Sequence, residues 1–229
     1  MKVTFVKSEQ TAESIQTFWF KPQSPVQYTA GQFIELRLPH PKADKRGEKR
    51  WFTLSSSPTE PLLSITTKFS KPSSTFKSTL LQLKHGQQVY MSDPMGDFVL
   101  PIDKTIPLLY VAGGIGITPV RSMIKWLSDT KEERRITIVY VTRSADEFAF
   151  IKLFNNYGAT LIQLNTEHDG EKAHLNARRI LDIASPESQT QIYLSGPEPM
   201  IEALVAQFDK QGYDQHQLIT DYFPGYTPI

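Results

Sequence analysis

The sequence contains no cysteine, which excludes disulfides, thiolate catalysis and Cys-ligated zinc or iron–sulfur clusters in one step. It also lacks surplus charge: 25 Lys and Arg face 24 Asp and Glu, so wholesale nucleic-acid binding is not expected. There is no long uncharged apolar run, and the opening MKVTFVKSEQ has no secretory apolar stretch. A soluble, cytoplasmic chain without membrane insertion is the expectation. Histidine is sparse, and His40, His85, His168, His174 and His216 show no close ligand spacing, so no metal site is expected.

What is present falls into two halves of different grammar, and 229 residues suffice for two modest domains. Residues 1–101 read as short strands and turns: VTFVKSEQ, SIQTFWFKP, GQFIELRLP, RWFTLSS, LLSITTKF and QQVYMSDP, punctuated by Pro22, Pro25, Gly31, Pro39 and Pro58. Such spacing predicts an antiparallel barrel. One helix is expected among them, over 75–84, with Phe76, Leu80 and Leu83 on one face and Ser73, Ser74 or Thr75 as its cap. Residues 102–229 alternate strand and helix, which predicts a parallel α/β sheet. PLLYVAGG, RITIVYVT, ATLIQLN and QIYLSG are its four strands; PVRSMIKWL and 199–210 are its clear helices.

Two strand-to-helix turns carry the chemistry. In V-A-G-G-I-G-I-T-P-V, residues 111–120, a buried strand meets Gly113, Gly114 and Gly116, then Thr118 as helix cap and Pro119 at the first helical position. Bare glycines admit a ligand to the backbone, and a helix start offers N–H groups and positive potential to a pyrophosphate. The plainer alternative is a turn whose glycines serve packing. S-G-P-E-P-M, residues 195–200, repeats the pattern. The carboxyl edge of a parallel sheet binds ligands, and it would gather Gly113–Thr118, Thr142–Ser144 and Ser195–Met200.

Taken in order, these motifs resemble the ferredoxin–NADP reductase superfamily over essentially the full length. Arg50-Trp51-Phe52-Thr53 is similar to its FAD motif, with Phe in place of Tyr. GQFIELRLP, G-D-F-V-L-P, G-G-I-G-I-T-P, V-Y-V-T-R-S-A-D-E-F-A-F and the tail T-D-Y-F-P-G-Y resemble further family segments. S-G-P-E-P-M stands where the family has Cys-Gly-Pro. The resemblance implies an FAD-binding six-stranded barrel, residues 1–101, and a Rossmann-like NAD(P)-binding domain, residues 102–229.

It also implies roles. Arg50 would meet the FAD pyrophosphate, Phe52 pack on the flavin and Thr53 reach flavin N5, with Trp51 inside the motif but pointing away. Thr67 and Lys68 would flank the flavin. Ser74, Thr75, Phe76 and Lys77 would form a second phosphate segment, or a plain helix start. Ser195 takes the place of the family's Cys near the nicotinamide, beside Gly196, Pro197 and Met200. Thr142, Arg143 and Ser144 would receive the adenosine end, Arg143 favouring NADPH over NADH. Phe223 would cover the other flavin face, with Tyr222 and Tyr226 as rivals.

The implied activity takes hydride from NADPH or NADH onto FAD and passes electrons to a separate small protein: a ferredoxin, a flavodoxin or an oxygenase component. The loop with Lys42, Lys45, Arg46, Lys49 and Arg50, set against Asp44 and Glu48, would steer an acidic partner, or be a solvated hairpin. A flavin reductase using free flavin, and a non-catalytic nucleotide-binding subunit, remain as alternatives.

Overall fold

A computed structural model describes residues 1–40, 43–70, 72–170 and 175–223, the side chains of residues 215, 222 and 223 excepted. Six strands form the first sheet: β1 (Lys2–Ala12), β2 (Ile15–Pro22), β3 (Phe33–Arg37), β4 (Lys49–Thr53), β5 (Leu63–Lys68) and β6 (Gln88–Met91). All pairings are antiparallel, in the order β4-β3-β6-β1-β2-β5. A Leu54–Ile65 bridge joins the two edges, closing the sheet towards the expected barrel. Alternation drives it: Ile34, Leu36, Phe18, Phe20, Val3 and Ile65 point inward and are essentially inaccessible. Helix α1 (Thr75–Leu81) adds Phe76 and Leu80 to that core. It is three residues shorter than the spacing predicts, because the chain leaves the helix at Gln82.

The second sheet is parallel, in the order β11-β10-β7-β8-β9. It comprises β7 (Leu108–Gly113), β8 (Ile136–Thr142), β9 (Thr160–Asn165), β10 (Gln191–Pro197) and β11 (Leu218–Phe223). β7 is buried at every residue, as a central parallel strand covered on both faces must be. Tyr110 and Ala112 face helices α2 (Ile117–Thr130) and α3 (Ile151–Tyr157). Leu109 and Val111 face α5 (Ala177–Ala184) and α6 (Glu198–Lys210), while a single turn, α4 (Thr166–Asp169), follows β9. The sheet has five strands rather than the expected four, since LITDYF pairs alongside β10. Order reverses at β7: the chain proceeds to β8 and β9 on one side, then returns to β10 and β11 on the other. The turn after β7 therefore lies at the topological switch point, where α/β sheets take ligands.

The two sheets share a seam. Ile15, Ala30 and Phe98 from the first half pack into the core of the second. Arg121 on α2 makes a two-pronged pair with Glu60 and also donates to the Ser55 carbonyl (2.8 Å). Ser122 donates to the Ser56 carbonyl (2.5 Å), Lys68 pairs with Glu147, and Tyr193 donates to the Val99 carbonyl (2.6 Å). No helix among the described residues is long and apolar enough to cross a membrane.

Candidate active site

The glycine turn is built for close approach. Gly114 has φ +54° and open space where a side chain would stand, so its backbone needs glycine and leaves room for a ligand. Gly116 lies against the Ser195 carbonyl, well inside the distance any Cβ would tolerate. The S-G-P turn and the glycine turn are thus pressed together, and Gly113 and Gly196 both abut Met200. Helix α2 begins at Ile117, one residue before the predicted cap. Thr118 is not a cap: its Oγ1 donates to the Ile115 carbonyl (3.0 Å), and no side chain caps the helix. Pro119 sits in the first turn, where a missing N–H costs nothing. The uncapped N–H groups of this 14-residue helix are what an anionic ligand would meet.

On the barrel side, Arg50 and Phe52 share the inner face of β4, and both lean on Phe76. The guanidinium lies 5.0 Å from the Phe76 centroid, and the two rings stack at 6.0 Å. Phe52 and Phe76 are nearly inaccessible, so Phe76 supports the motif from beneath. Arg50 is not open to solvent. Its Nη2 contacts Asp44 Oδ1 (2.7 Å), and its Nη1 donates to the carbonyls of Arg46, Gly47 and Lys49. Burial raises the Asp44 carboxyl, but the bonds from Arg46 and Arg50 outweigh it and bring the pKa down to about 2. Trp51 leaves the opposite face, 61% exposed and tilted against Phe33 (6.0 Å); it stands outside the site its motif builds.

Helix α1 begins as an ordinary capped helix: Ser74 Oγ accepts from Lys77 N (3.3 Å), and Thr75 Oγ1 lies 3.3 Å from His40 Nε2. Lys77 donates to the Lys68 carbonyl (2.5 Å); burial, then Arg46 and Lys68, push its pKa down to about 8. Thr67 is buried beside this cluster on β5, the strand that touches the Gly114–Gly116 turn.

Sequence reading passed over Asp221 as a functional group, although it lies in the acidic–aromatic tail motif. It stands opposite Ser195 in the β10–β11 register. Burial and then the Asp97 carboxylate raise its pKa to about 6. Phe223 ends β11 opposite Pro197; its ring lies outside the described residues, as do Tyr226, His174 and Lys42. At the other end of the sheet edge, Thr142 donates to the Ser144 carbonyl (2.8 Å) and Arg143 pairs with Glu167 (3.0 Å). Among the described residues no group of three His, Asp or Glu gathers as a metal site.

Among the described residues, five buried side-chain polar atoms have no hydrogen-bond partner: Arg50 Nε, Thr53 Oγ1, Ser73 Oγ, Arg179 Nε and Ser195 Oγ. Orphans of this kind are costly and need an explanation. Three sit in the motifs assigned to a flavin and a nicotinamide, and a fourth beside the capped start of α1. With the glycine cradle, they fit the polar groups that an FAD and a nicotinamide nucleotide would present.

Residues 110–206 match the oxidoreductase NAD-binding domain. Across 99% of its length the chain is 30% identical to the glycine betaine monooxygenase reductase subunit of Pseudomonas aeruginosa, covering 64% of that protein. Across 98% it is 26% identical to flavohemoprotein A of Dictyostelium discoideum, covering 61%. It therefore spans less than two thirds of these relatives. The Amycolatopsis cytochrome P450 reductase GcoB shares its fold (TM-score 0.80, 18% identity, 98% of this chain and 70% of that one). So does the Plasmodium falciparum ferredoxin–NADP+ reductase (TM-score 0.77, 15% identity, 97% and 95%). The chain thus carries a match to the oxidoreductase NAD-binding domain in its second half, and as a whole it has the two-sheet fold of the ferredoxin–NADP+ reductases.

Proposed function

We propose that the chain is an FAD-dependent NAD(P)H reductase that hands electrons to a separate protein, with residues 1–101 holding the flavin and 102–229 the dinucleotide. The observation that carries this is the pair of orphaned hydroxyls, Thr53 Oγ1 and Ser195 Oγ, one from each motif. The flavin, when bound, supplies the exchange between two-electron and one-electron chemistry. The protein binds, aligns and shields. Gly114–Gly116 and the α2 start hold a pyrophosphate, Gly196 and Met200 bound the nicotinamide side, and Thr53 faces the flavin edge. Asp221 stands opposite Ser195, and because burial disfavours its anion its carboxyl takes up a proton at about pH 6.

The acceptor is a small electron-transfer protein or oxygenase component that docks on the outer barrel face beside the flavin motif. Trp51, Phe33 and Met95 make an apolar patch there, and an exposed tryptophan is a strong anchor for a partner. Arg46, offered above as a steering charge, is tied to Asp44 (3.0 Å). The reading is tested by purifying the protein, recording its flavin absorbance and adding NADH or NADPH without oxygen; bleaching is expected. Failure to bleach with FAD bound rejects catalysis. The Asp44 carboxylate seated on Arg50 favours a second reading, an exchangeable flavin; loss of the yellow colour on gel filtration, with added flavin still reduced, selects it. For the acceptor face, Trp51→Ala is expected to slow reduction of the protein acceptor at least tenfold while ferricyanide reduction stays unchanged.

A further inference from the structure

Strands β8 and β9 are parallel neighbours with Thr142 opposite Asn165, and β7 lies on the other side of β8 with Gly113 opposite Val141. Their carboxyl ends therefore form one ledge. Two strand spacings separate β7 from β9, about 10 Å. A dinucleotide whose pyrophosphate rests on the Gly114–Gly116 turn lays its adenosine half along this ledge, towards β9.

At that end the chain places a bound pair. Arg143 leaves β8, Glu167 stands in the first turn of α4, and Arg143 Nε meets Glu167 Oε1 at 3.0 Å. Glu167 N donates to the Arg143 carbonyl (3.0 Å), which fixes the two backbones as well. Both side chains are open to a ligand, 76% and 55% exposed. The surroundings are acidic. Asp169 accepts from Asn165 N (2.8 Å), Glu147 accepts from Arg143 N (3.3 Å) while paired with Lys68, and Asp146 lies one residue before it. His168 Nδ1 meets Asp169 Oδ1 at 3.1 Å, and Arg179 on α5 also faces Asp169 electrostatically.

We propose that Glu167 is a specificity-determining residue that makes this chain prefer NADH to NADPH, overriding the basic Arg143 beside it. The inference rests on reading the α/β half as the nicotinamide-nucleotide domain. A ribose 2′-hydroxyl can donate to the Glu167 carboxylate without adding charge, as acidic residues at such strand ends do. A 2′-phosphate brings close to two negative charges and has to displace Glu167 from Arg143 to gain that exposed guanidinium. The pair is solvent-exposed, so screening limits the discrimination to roughly tenfold.

The test titrates the FAD-loaded protein calorimetrically with ADP-ribose and with 2′-phospho-ADP-ribose, and measures anaerobic bleaching by NADH and NADPH. ADP-ribose is expected to bind roughly tenfold tighter, with the gap narrowing as salt is raised. Glu167→Gln should remove the gap and Glu167→Arg reverse it; both positions are exposed, and the backbone bond to Arg143 survives either change. Tighter binding of the 2′-phosphate ligand by the unaltered chain, or a ratio unmoved in both variants, overturns the assignment. If NADPH is preferred yet bleaches the flavin, this inference falls and the proposed function stands. If neither nucleotide binds or bleaches, both fall.

Discussion

Ser195 and Asp221 stand side by side on neighbouring parallel strands, paired in register, so their side chains leave the sheet on the same face. One is a buried hydroxyl without a partner; the other is a carboxyl whose pKa burial, and then Asp97, raise to about 6. The fold has thus placed a titrating group at the Ser195-Gly196-Pro197 turn.

In the proposed reductase that position should make the reductive rate pH-dependent, with an inflection near pH 6 that Asp221→Asn abolishes in a stopped-flow pH profile. Stability carries the same signature. A folded pKa above the unfolded one gives stability that is complete below the unfolded value of 3.8 and is lost as pH rises through about 6. Asp221→Asn should therefore be more stable than the parent at pH 7.5, by about 1–3 kcal/mol, and nearly equal to it near pH 3.5, just below that value. Urea melts at the two pH values read the difference directly.

The guanidinium that would meet the FAD pyrophosphate is held by Asp44. To serve the cofactor, Arg50 has to exchange that carboxylate for phosphate oxygens. Arg50→Ala is expected to weaken FAD binding roughly 10- to 100-fold, the worth of a charge-assisted pair. Asp44→Asn should tighten it several-fold, because the competing anion is gone. Fluorescence titration of FAD into apoprotein distinguishes these; an Asp44→Asn variant that binds FAD more weakly would show that Asp44 supports the site and does not compete for it.

The two flanking glycines of the cradle differ in what they meet. A methyl on Gly116 strikes the Ser195 backbone, which cannot yield, whereas one on Gly113 meets the flexible end of Met200, with Sδ at 2.7 Å. Gly116→Ala should cost about 3 kcal/mol or more and most nucleotide affinity; Gly113→Ala should cost about 1 kcal/mol. Thermal melts with and without ADP-ribose rank the two.

How much of this was legible depends on the range of the determinant. The six barrel strands and the central β7 follow from alternation and from one apolar run, both local signals. Gly113, Gly114 and Gly116 announced their turn for the same reason. β11 was hidden because LITDYF pairs with β10 through a distant register, and α5 because ARRILDIA is short, with only Ala177 and Ile180 fully buried. Thr118 looked like a cap, but the preceding turn tightens into a 3-10 segment over Gly114–Gly116 that runs into the helix at Ile117, so Thr118 already lies inside it. The Asp44–Arg50 and Arg143–Glu167 pairs depend on how loops return, which residue types alone do not encode.

The seam between the sheets is the clearest such case, since Arg121 and Glu60 are 61 positions apart. Their pair is mostly shielded, with side chains 15% and 20% exposed, and Arg121 also holds the Ser55 carbonyl two residues beyond Thr53. The α2 helix that begins at the glycine turn is thereby tied to the loop leaving the flavin motif. Removing one partner strands the other charge in a partly buried setting, so Arg121→Gln should destabilise by about 2 kcal/mol. FAD content should be retained, because neither residue belongs to the barrel's phosphate side. The reductive rate should fall more than nucleotide affinity does, since what is lost is alignment of the two halves. Glu60→Gln should show a similar but milder pattern, and the double variant should be less impaired than the sum of the singles. Strict additivity in that cycle would mean that the pair does not couple the two sheets.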